Sequence, residues 1–120
     1  MLGLRTVVYK VPNLKEGKEW YAKAFETEPY FDEPFYVGFN IGGYELGLLP
    51  YDGEEVIHGD ASTVYWGVED INTVLARFGD LGATLGEEPS DVGDGVTVAS
   101  VRDPWNNLIG LIYNPYFKIS

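Results

Sequence analysis

The sequence predicts an α+β fold made of two tandem modules, each with the element order strand, helix, strand, strand, strand. Two similarities predict it: TVVYKVPNL near the start returns as TVYWGVEDI, and YELGLLPY returns as LIGLIYNP. A repeat in constant order indicates two copies of one structural unit. With 120 residues the chain has the length of one ordinary domain. We therefore expect one domain over residues 1–120, with module 1 at about 1–50, a connector at 51–61 and module 2 at about 62–120.

Module 1 opens with a strand and a helix. The β-branched and aromatic run Leu4–Val11 predicts a buried strand. Asn13 followed three residues later by Glu16 predicts a capping box that starts a helix over about Leu14–Phe25. Gly17 is expected to weaken the middle of that helix, because glycine has a low helix propensity.

Three short strands complete module 1, around Tyr30, over Phe35–Ile41 and over Tyr44–Leu49, and Gly42-Gly43 predicts the hairpin between the last two. An acidic connector follows, with the polar residues Asp52, Glu54, Glu55, His58 and Asp60. We interpret it as a solvated loop. A role for His58 as a proton shuttle or surface metal ligand is the alternative.

Module 2 repeats the pattern. Thr63–Val68 predicts a strand, and Asp70 predicts the cap of a helix that ends before Gly82. The apolar residues expected on one face of this helix are Ile71, Val74, Leu75, Phe78 and Leu81. The remaining predicted strands are Thr84–Glu88, Val96–Arg102 and Leu108–Tyr113, with turns at 93–95 and 103–107.

Composition excludes several classes of function. The net charge of −11 disfavours nucleic acid and anionic membrane surfaces as partners, because both are bound through clustered Lys and Arg. That charge equally serves solubility or salt tolerance. Without cysteine, and with one histidine, the chain has neither thiolate chemistry nor a multi-histidine metal site. No apolar run reaches the length of a membrane span or a signal peptide, so we expect a cytoplasmic protein.

The paired modules resemble the vicinal oxygen chelate superfamily, which includes glyoxalase I, extradiol dioxygenases and the bleomycin resistance proteins. The segments that carry the resemblance are VPNL, VEDI, FGDLGAT and the DPWNN turn, in which Asn106 stands where the family has glycine. Asparagine tolerates the left-handed conformation that such a turn requires. The resemblance implies two curved mixed sheets around a cup, helices on the outer face, and a homodimer.

The resemblance also implies where metal-dependent members hold their cation, on the first and last strand of each module. These positions fall on Thr6, Gly47, Thr63 and Gly110. Threonine is a weak neutral ligand and glycine has no side chain, so we predict no metal and no other cofactor. Glu45 lies two residues before Gly47, and one carboxylate does not make a tight metal site.

Strand alternation then predicts the residues that line the cup. The expected ligand-binding side chains are Thr6, Val8, Tyr36, Asn40, Glu45, Thr63, Tyr65 and Ser100. Aromatic, small and polar groups together suit a binding cavity. The favoured function is a metal-free protein that binds or sequesters a small planar molecule, neutral to cationic, similar to the bleomycin resistance proteins. Two alternatives remain: an enzyme of glyoxalase or dioxygenase type with Glu45 as base and Tyr65 or Tyr36 as acid, and a structural dimerising module without a ligand.

Overall fold

The computed structural model describes residues 4–51 and 63–117, and the chain divides into two compact units, Met1–Ile57 and His58–Ser120. Each unit contains one helix and one four-stranded mixed sheet. The predicted α+β class with two repeated modules is therefore confirmed. The single domain and the common cup stay predictions, and the connector residues Asp52, Glu54, Glu55, His58 and Asp60 lie outside the described residues.

Unit 1 has its strands in the spatial order β1-β4-β3-β2. Its elements are β1 (Thr6–Val11), α1 (Leu14–Ala24), β2 (Phe31–Glu33), β3 (Tyr36–Ile41) and β4 (Tyr44–Pro50). Strand β1 runs parallel to β4, and the other two pairs are antiparallel. Helix α1 carries the chain back along the sheet after β1, so that β2 runs in the same direction as β1. Two antiparallel pairings then make β4 parallel to β1.

Unit 2 repeats this topology as β5-β8-β7-β6, with β5 parallel to β8. Its elements are β5 (Tyr65–Gly67), α2 (Ile71–Asp80), β6 (Thr84–Gly93), β7 (Val96–Arg102) and β8 (Leu108–Tyr113). Strand β5 is shorter than predicted, but its ladder continues at both ends, where Gly110 N–H donates to Val64 C=O and Val68 N–H to Ile112 C=O. Across the described ranges, neither helix is long and apolar enough to cross a bilayer.

The core of unit 1 lies between α1 and one face of its sheet. Tyr21 of α1 is fully buried and stacks on Tyr9 of β1, with 5.7 Å between ring centroids. The sheet residues buried on this face are Tyr9, Val11, Val37, Phe39, Leu46 and Leu48. The predicted first strand is buried on one face only, because Thr6 and Val8 alternate onto the uncovered face and are exposed.

Gly17 has a packing role that helix propensity does not reveal. It is buried in α1, and a Cβ built on it would lie 2.7 Å from Cγ2 of Val11. Glycine therefore lets the helix approach β1 closely. The predicted N-caps are confirmed: Asn13 Oδ1 accepts from Glu16 N–H at 3.0 Å, and Asp70 Oδ1 accepts from Asn72 and Thr73 N–H.

In unit 2, the turn before β8 is held by Asp103, which is buried. Its Oδ1 accepts from the backbone N–H groups of Trp105 and Asn107, and its Oδ2 accepts from the Asn107 amide. Asn106 has φ +73°, the left-handed conformation expected from the sequence. This turn fixes where β8 begins.

Strand β6 differs most from its prediction. It extends over Thr84–Gly93, twice the predicted length, and all ten residues are exposed. Its pairing with β7 shifts register three times. The sequence EEPSD resembles a loop, yet an edge strand tolerates Pro89 because one side of its backbone makes no ladder bonds.

Candidate functional site

The candidate site lies on the face of the unit 1 sheet that α1 leaves uncovered. In the strand register Thr6 pairs with Glu45, and Glu45 pairs with Asn40. In the adjacent row Gly47 lies between Val8 and Gly38. Because alternate residues share a face, these side chains and that of Tyr36 all belong to the uncovered side.

Glu45 is the centre of this face, and three hydroxyl groups donate hydrogen bonds to it. The Tyr36 hydroxyl donates to Oε1 at 2.8 Å and the Thr6 hydroxyl donates to the same oxygen at 3.0 Å. The Tyr30 hydroxyl donates to Oε2. We call these four residues, Thr6, Tyr30, Tyr36 and Glu45, the carboxylate cluster.

Two glycines provide the space for the cluster. A Cβ built on Gly47 would lie 2.7 Å from Cζ of Tyr36, so the tyrosine ring passes directly over this glycine. A Cβ on Gly38 would lie 2.9 Å from Oε2 of Glu45 and 3.2 Å from the Tyr30 ring. Glycine in a strand interior often marks a close approach of this kind.

The hydrogen bonds determine the protonation of the cluster. The bond from Tyr30 is the largest influence on Glu45 and, with those from Tyr36 and Thr6, holds its pKa below the ordinary value, although partial burial opposes them. Burial, followed by the bond to Glu45, raises the pKa of Tyr36 to about 12. The bond to Glu45 also raises the pKa of Tyr30. At neutral pH the cluster is a carboxylate with protonated tyrosines around it.

This protonation is unsuitable for general acid–base chemistry. A base works best with a pKa near the working pH, and the pKa of Glu45 is shifted away from it. The raised pKa of Tyr36 likewise makes this tyrosine a poor proton donor. Glu45 therefore carries a negative charge at neutral pH.

Aromatic rings continue the site along the β2–β3 hairpin. Phe31 pairs with Gly38 in the register, and its ring lies 6.0 Å from that of Tyr36 and 6.1 Å from that of Phe35. Phe35 is 64% exposed and Tyr30 is 62% exposed. A carboxylate beside exposed rings combines charge with apolar contact area.

Two other predicted residues of unit 1 lie on the same face outside the cluster. Val8 is exposed and pairs with Gly47. Asn40 pairs with Glu45, but its Oδ1 accepts from Gly43 N–H at 2.8 Å and so supports the hairpin turn.

The predicted residues of unit 2 surround Gly110. A Cβ built there would lie 2.8 Å from the Tyr65 ring and 3.1 Å from the Thr63 methyl group, and Tyr65 is 46% exposed. Ser100 pairs with Gly110 and is buried, and its Oγ accepts from Glu87 N–H at 2.9 Å. The Ser100 hydroxyl therefore supports the irregular β6–β7 pairing.

The repeat offers an internal comparison for the carboxylate cluster. Gly47 pairs with Val8 and Gly38, and Gly110 pairs with Tyr65 and Ser100, so the two glycines are equivalent. Counting from them, Leu108 stands for Glu45 and Val98 stands for Tyr36. The same sheet topology thus forms with apolar residues at these positions, and the fold does not require the carboxylate.

Sequence reasoning missed Phe31, Phe35 and the central site residue Tyr30. Tyr30 precedes β2, and its position depends on a tertiary feature, the hydrogen bond from its N–H to Gly38 C=O. The available signal was Gly38 itself, since a glycine on the uncovered face leaves space for a neighbouring ring.

The comparisons with known proteins identify the family. Residues 3–111 match the family model "Glyoxalase/Bleomycin resistance protein/Dioxygenase superfamily". This chain belongs to that superfamily. No curated protein matches the sequence significantly.

Several solved structures share the fold at low sequence identity. A glyoxalase-related enzyme from Fulvimarina pelagi has a TM-score of 0.81 at 16% identity, over 100% of this chain and 94% of that one. The fosfomycin resistance protein FosX from Listeria monocytogenes has a TM-score of 0.79 at 16% identity, over 97% and 96%. TioX from Micromonospora sp. ML1 has a TM-score of 0.66 at 16% identity, over 92% and 98%.

The donor set of the described residues does not fit the divalent metal that some superfamily members use. Gly47 lies beneath the Tyr36 ring, and Gly110 lies beneath Tyr65 and Thr63. Three hydroxyl groups already donate to Glu45. Within residues 4–51 and 63–117, no group of three His, Cys, Asp or Glu side chains is arranged to hold a metal ion.

Proposed function

We propose that this protein is a metal-free binding protein of the glyoxalase superfamily, which sequesters a small planar molecule that is neutral to cationic. The carboxylate cluster of unit 1 binds the polar end of the ligand, and the neighbouring aromatic rings contact its apolar part. Sequestration requires affinity alone, which agrees with the absence of a tuned acid or base in the cluster.

The observation that carries the proposal is the placement of Glu45. A carboxylate at this position is unnecessary for the fold, since unit 2 has Leu108 at the equivalent position. In unit 1, side chains from strands β1 and β3 and from the loop before β2 converge on that carboxylate. Such convergence holds the charge in one position, as a ligand-binding group requires.

The charge of the whole chain supports the same ligand class. A net charge of −11 raises the local concentration of cations and lowers that of anions. Aromatic faces add cation–π attraction of about 0.5–2 kcal/mol. Among proteins of similar fold, one is named for fosfomycin resistance. We propose antibiotic resistance by sequestration as the biological setting.

The test is a thermal-shift screen at low and high salt. The compounds are bleomycin-like glycopeptides, other cationic aromatics, and anionic aromatics of the same size. True ligands should keep their shift near 1 M salt, where the Debye length is about 3 Å, because contact terms survive screening. Glu45→Gln should abolish the shift.

Glu19→Gln is the matched control. It removes the same charge from the exposed side of α1, which covers the opposite face of the sheet. An equal response to anions and cations, or equal effects of Glu45→Gln and Glu19→Gln, would contradict the proposal and favour the structural dimerising module. Turnover of a glyoxalase or dioxygenase substrate that Glu45→Gln abolishes would favour the enzyme.

A further inference from the structure

The hydrogen bonds within the carboxylate cluster limit which chemical groups of a ligand can bind there. A carboxylate has about four lone-pair positions. Thr6 and Tyr36 occupy two on Oε1, and Tyr30 occupies one on Oε2. One position on Oε2 is left for a further donor.

The cluster itself offers acceptors and no donors. Each hydroxyl group has one hydrogen, and those of Thr6, Tyr30 and Tyr36 all point to Glu45. Their oxygen atoms keep acceptor capacity. A ligand group that lacks an N–H or O–H therefore finds no hydrogen-bond partner among these side chains, whereas a group with several N–H donors finds more than one.

The open position lies on the side of the aromatic rings. Oε2 is the oxygen bound by Tyr30, and both Oε2 and the Tyr30 ring border Gly38. Phe31 pairs with this same glycine, and Phe35 packs against Phe31. A ligand that reaches Oε2 thus lies beside the Tyr30 ring, on the same face of the sheet as Phe31.

We propose, on the basis of the function proposed above, that the ligand is an aryl-alkyl amine in its protonated N–H form, whose ammonium donates to Oε2 of Glu45 while its aryl group lies against Phe31 and Phe35. The N–H donor distinguishes a protonated amine from a quaternary ammonium compound of equal charge. A cation held by charge and ring faces alone would not make that distinction.

The experiment compares three probes that share one aryl group: phenethylammonium, trimethyl(phenethyl)ammonium and phenethyl alcohol. Dissociation constants are measured on the intact protein at neutral pH by ligand-observed NMR titration. We expect phenethylammonium to bind about tenfold more tightly than the trimethyl compound, because a hydrogen bond to a charged acceptor is worth about one decade in affinity. The alcohol should bind more weakly than phenethylammonium, because it can donate one hydrogen bond but has no positive charge.

Three variants locate the effect. Glu45→Gln should weaken phenethylammonium binding about tenfold, and Glu19→Gln should leave it unchanged. Tyr30→Phe removes the hydroxyl on Oε2 and keeps the exposed ring, so it should retain or improve binding of the ammonium probe. If the Tyr30 hydroxyl only holds Glu45 in position, Tyr30→Phe should instead weaken binding of the ammonium probe.

The outcomes separate the two proposals. If the ammonium and trimethyl probes bind equally, and Glu45→Gln weakens both alike, the N–H inference is wrong while cation binding at the cluster stands. If phenethylammonium does not bind, or binds without dependence on Glu45, the N–H inference is overturned. Failure of every cationic aromatic in the salt-controlled screen would overturn the proposed function as well.

Discussion

At the scale of single residues, the properties of Glu45 and Gly47 depend on the few side chains that contact them. Glu45 is a partly exposed carboxylate whose properties are set by three hydroxyl donors, with Tyr30 the largest influence on its pKa. Gly47 matters because the ring of Tyr36 crosses it. Each of these contacts predicts how a substitution changes the stability of the protein.

Glu45 should make stability sensitive to acid. Its pKa is lower in the folded than in the unfolded chain, so its contribution is present above the ordinary value of 4.5 and is lost as the pH falls through the folded pKa. Urea unfolding of the wild type and Glu45→Gln across this range should show a stability difference that shrinks on acidification. A constant difference for Glu45→Gln would contradict the assignment.

Gly47→Ala should destabilise the protein by about 1–3 kcal/mol, because its Cβ would overlap the Tyr36 ring. Adding Tyr36→Ala should cost less in this background than in the wild type, since the ring is then already displaced. The control is Gly79→Ala in α2, where a Cβ meets nothing within 4 Å and helix propensity favours alanine. Denaturant unfolding measures all four variants, and additive effects would refute the overlap.

At the scale of the element, local signals were reliable where the chemistry is local. Asn13, Asp70 and Asn106 were predicted in their roles because a cap or a left-handed turn depends on a few adjacent residues. The length of β6 was not predictable, since its pairing relies on three register shifts against β7. The position of Glu45 on its face followed from alternation, whereas its bond to Tyr30 needed the β2–β3 register.

In helix α1, helix propensity favours alanine at position 17, whereas tertiary packing favours glycine. Gly17→Ala should raise helix propensity by about 1 kcal/mol yet lower stability overall, because its Cβ would lie 2.7 Å from Val11. In a Val11→Ala background the same change should become neutral or favourable. A double-mutant cycle by chemical denaturation gives the coupling between the two sites, and no coupling would refute the close approach.

For the whole molecule, the metal content of the purified protein decides whether this member of the superfamily is metal-free. The purified protein, dialysed separately against nickel, zinc, iron and manganese and then against buffer, should retain no stoichiometric metal. The reason is the weak donor set at Thr6, Gly47, Thr63 and Gly110. Elemental analysis provides the measurement, and one equivalent per chain or per dimer would overturn the metal-free proposal.

The assembly is expected to be a homodimer. Large apolar side chains away from the candidate site are exposed in both units, Leu4 and Phe117 among them, and exposed apolar surface commonly marks an interface. Two-fold symmetry is the commonest form of self-association. Light scattering at low micromolar concentration should give twice the chain mass of 13.4 kDa. A mass equal to that of one chain would place the entire binding site within a single copy.

The irregular strand β6 has a consequence for aggregation. A long, flat strand at the margin of a sheet can template a strand from another chain and start intermolecular sheet growth. Here that margin has Glu87, Glu88 and Asp91 beside Pro89, and its register breaks three times. The charges repel a second copy, and the proline removes one donor from the backbone. Salt would screen these charges, but the proline and the register shifts would still hinder fibril-like stacking.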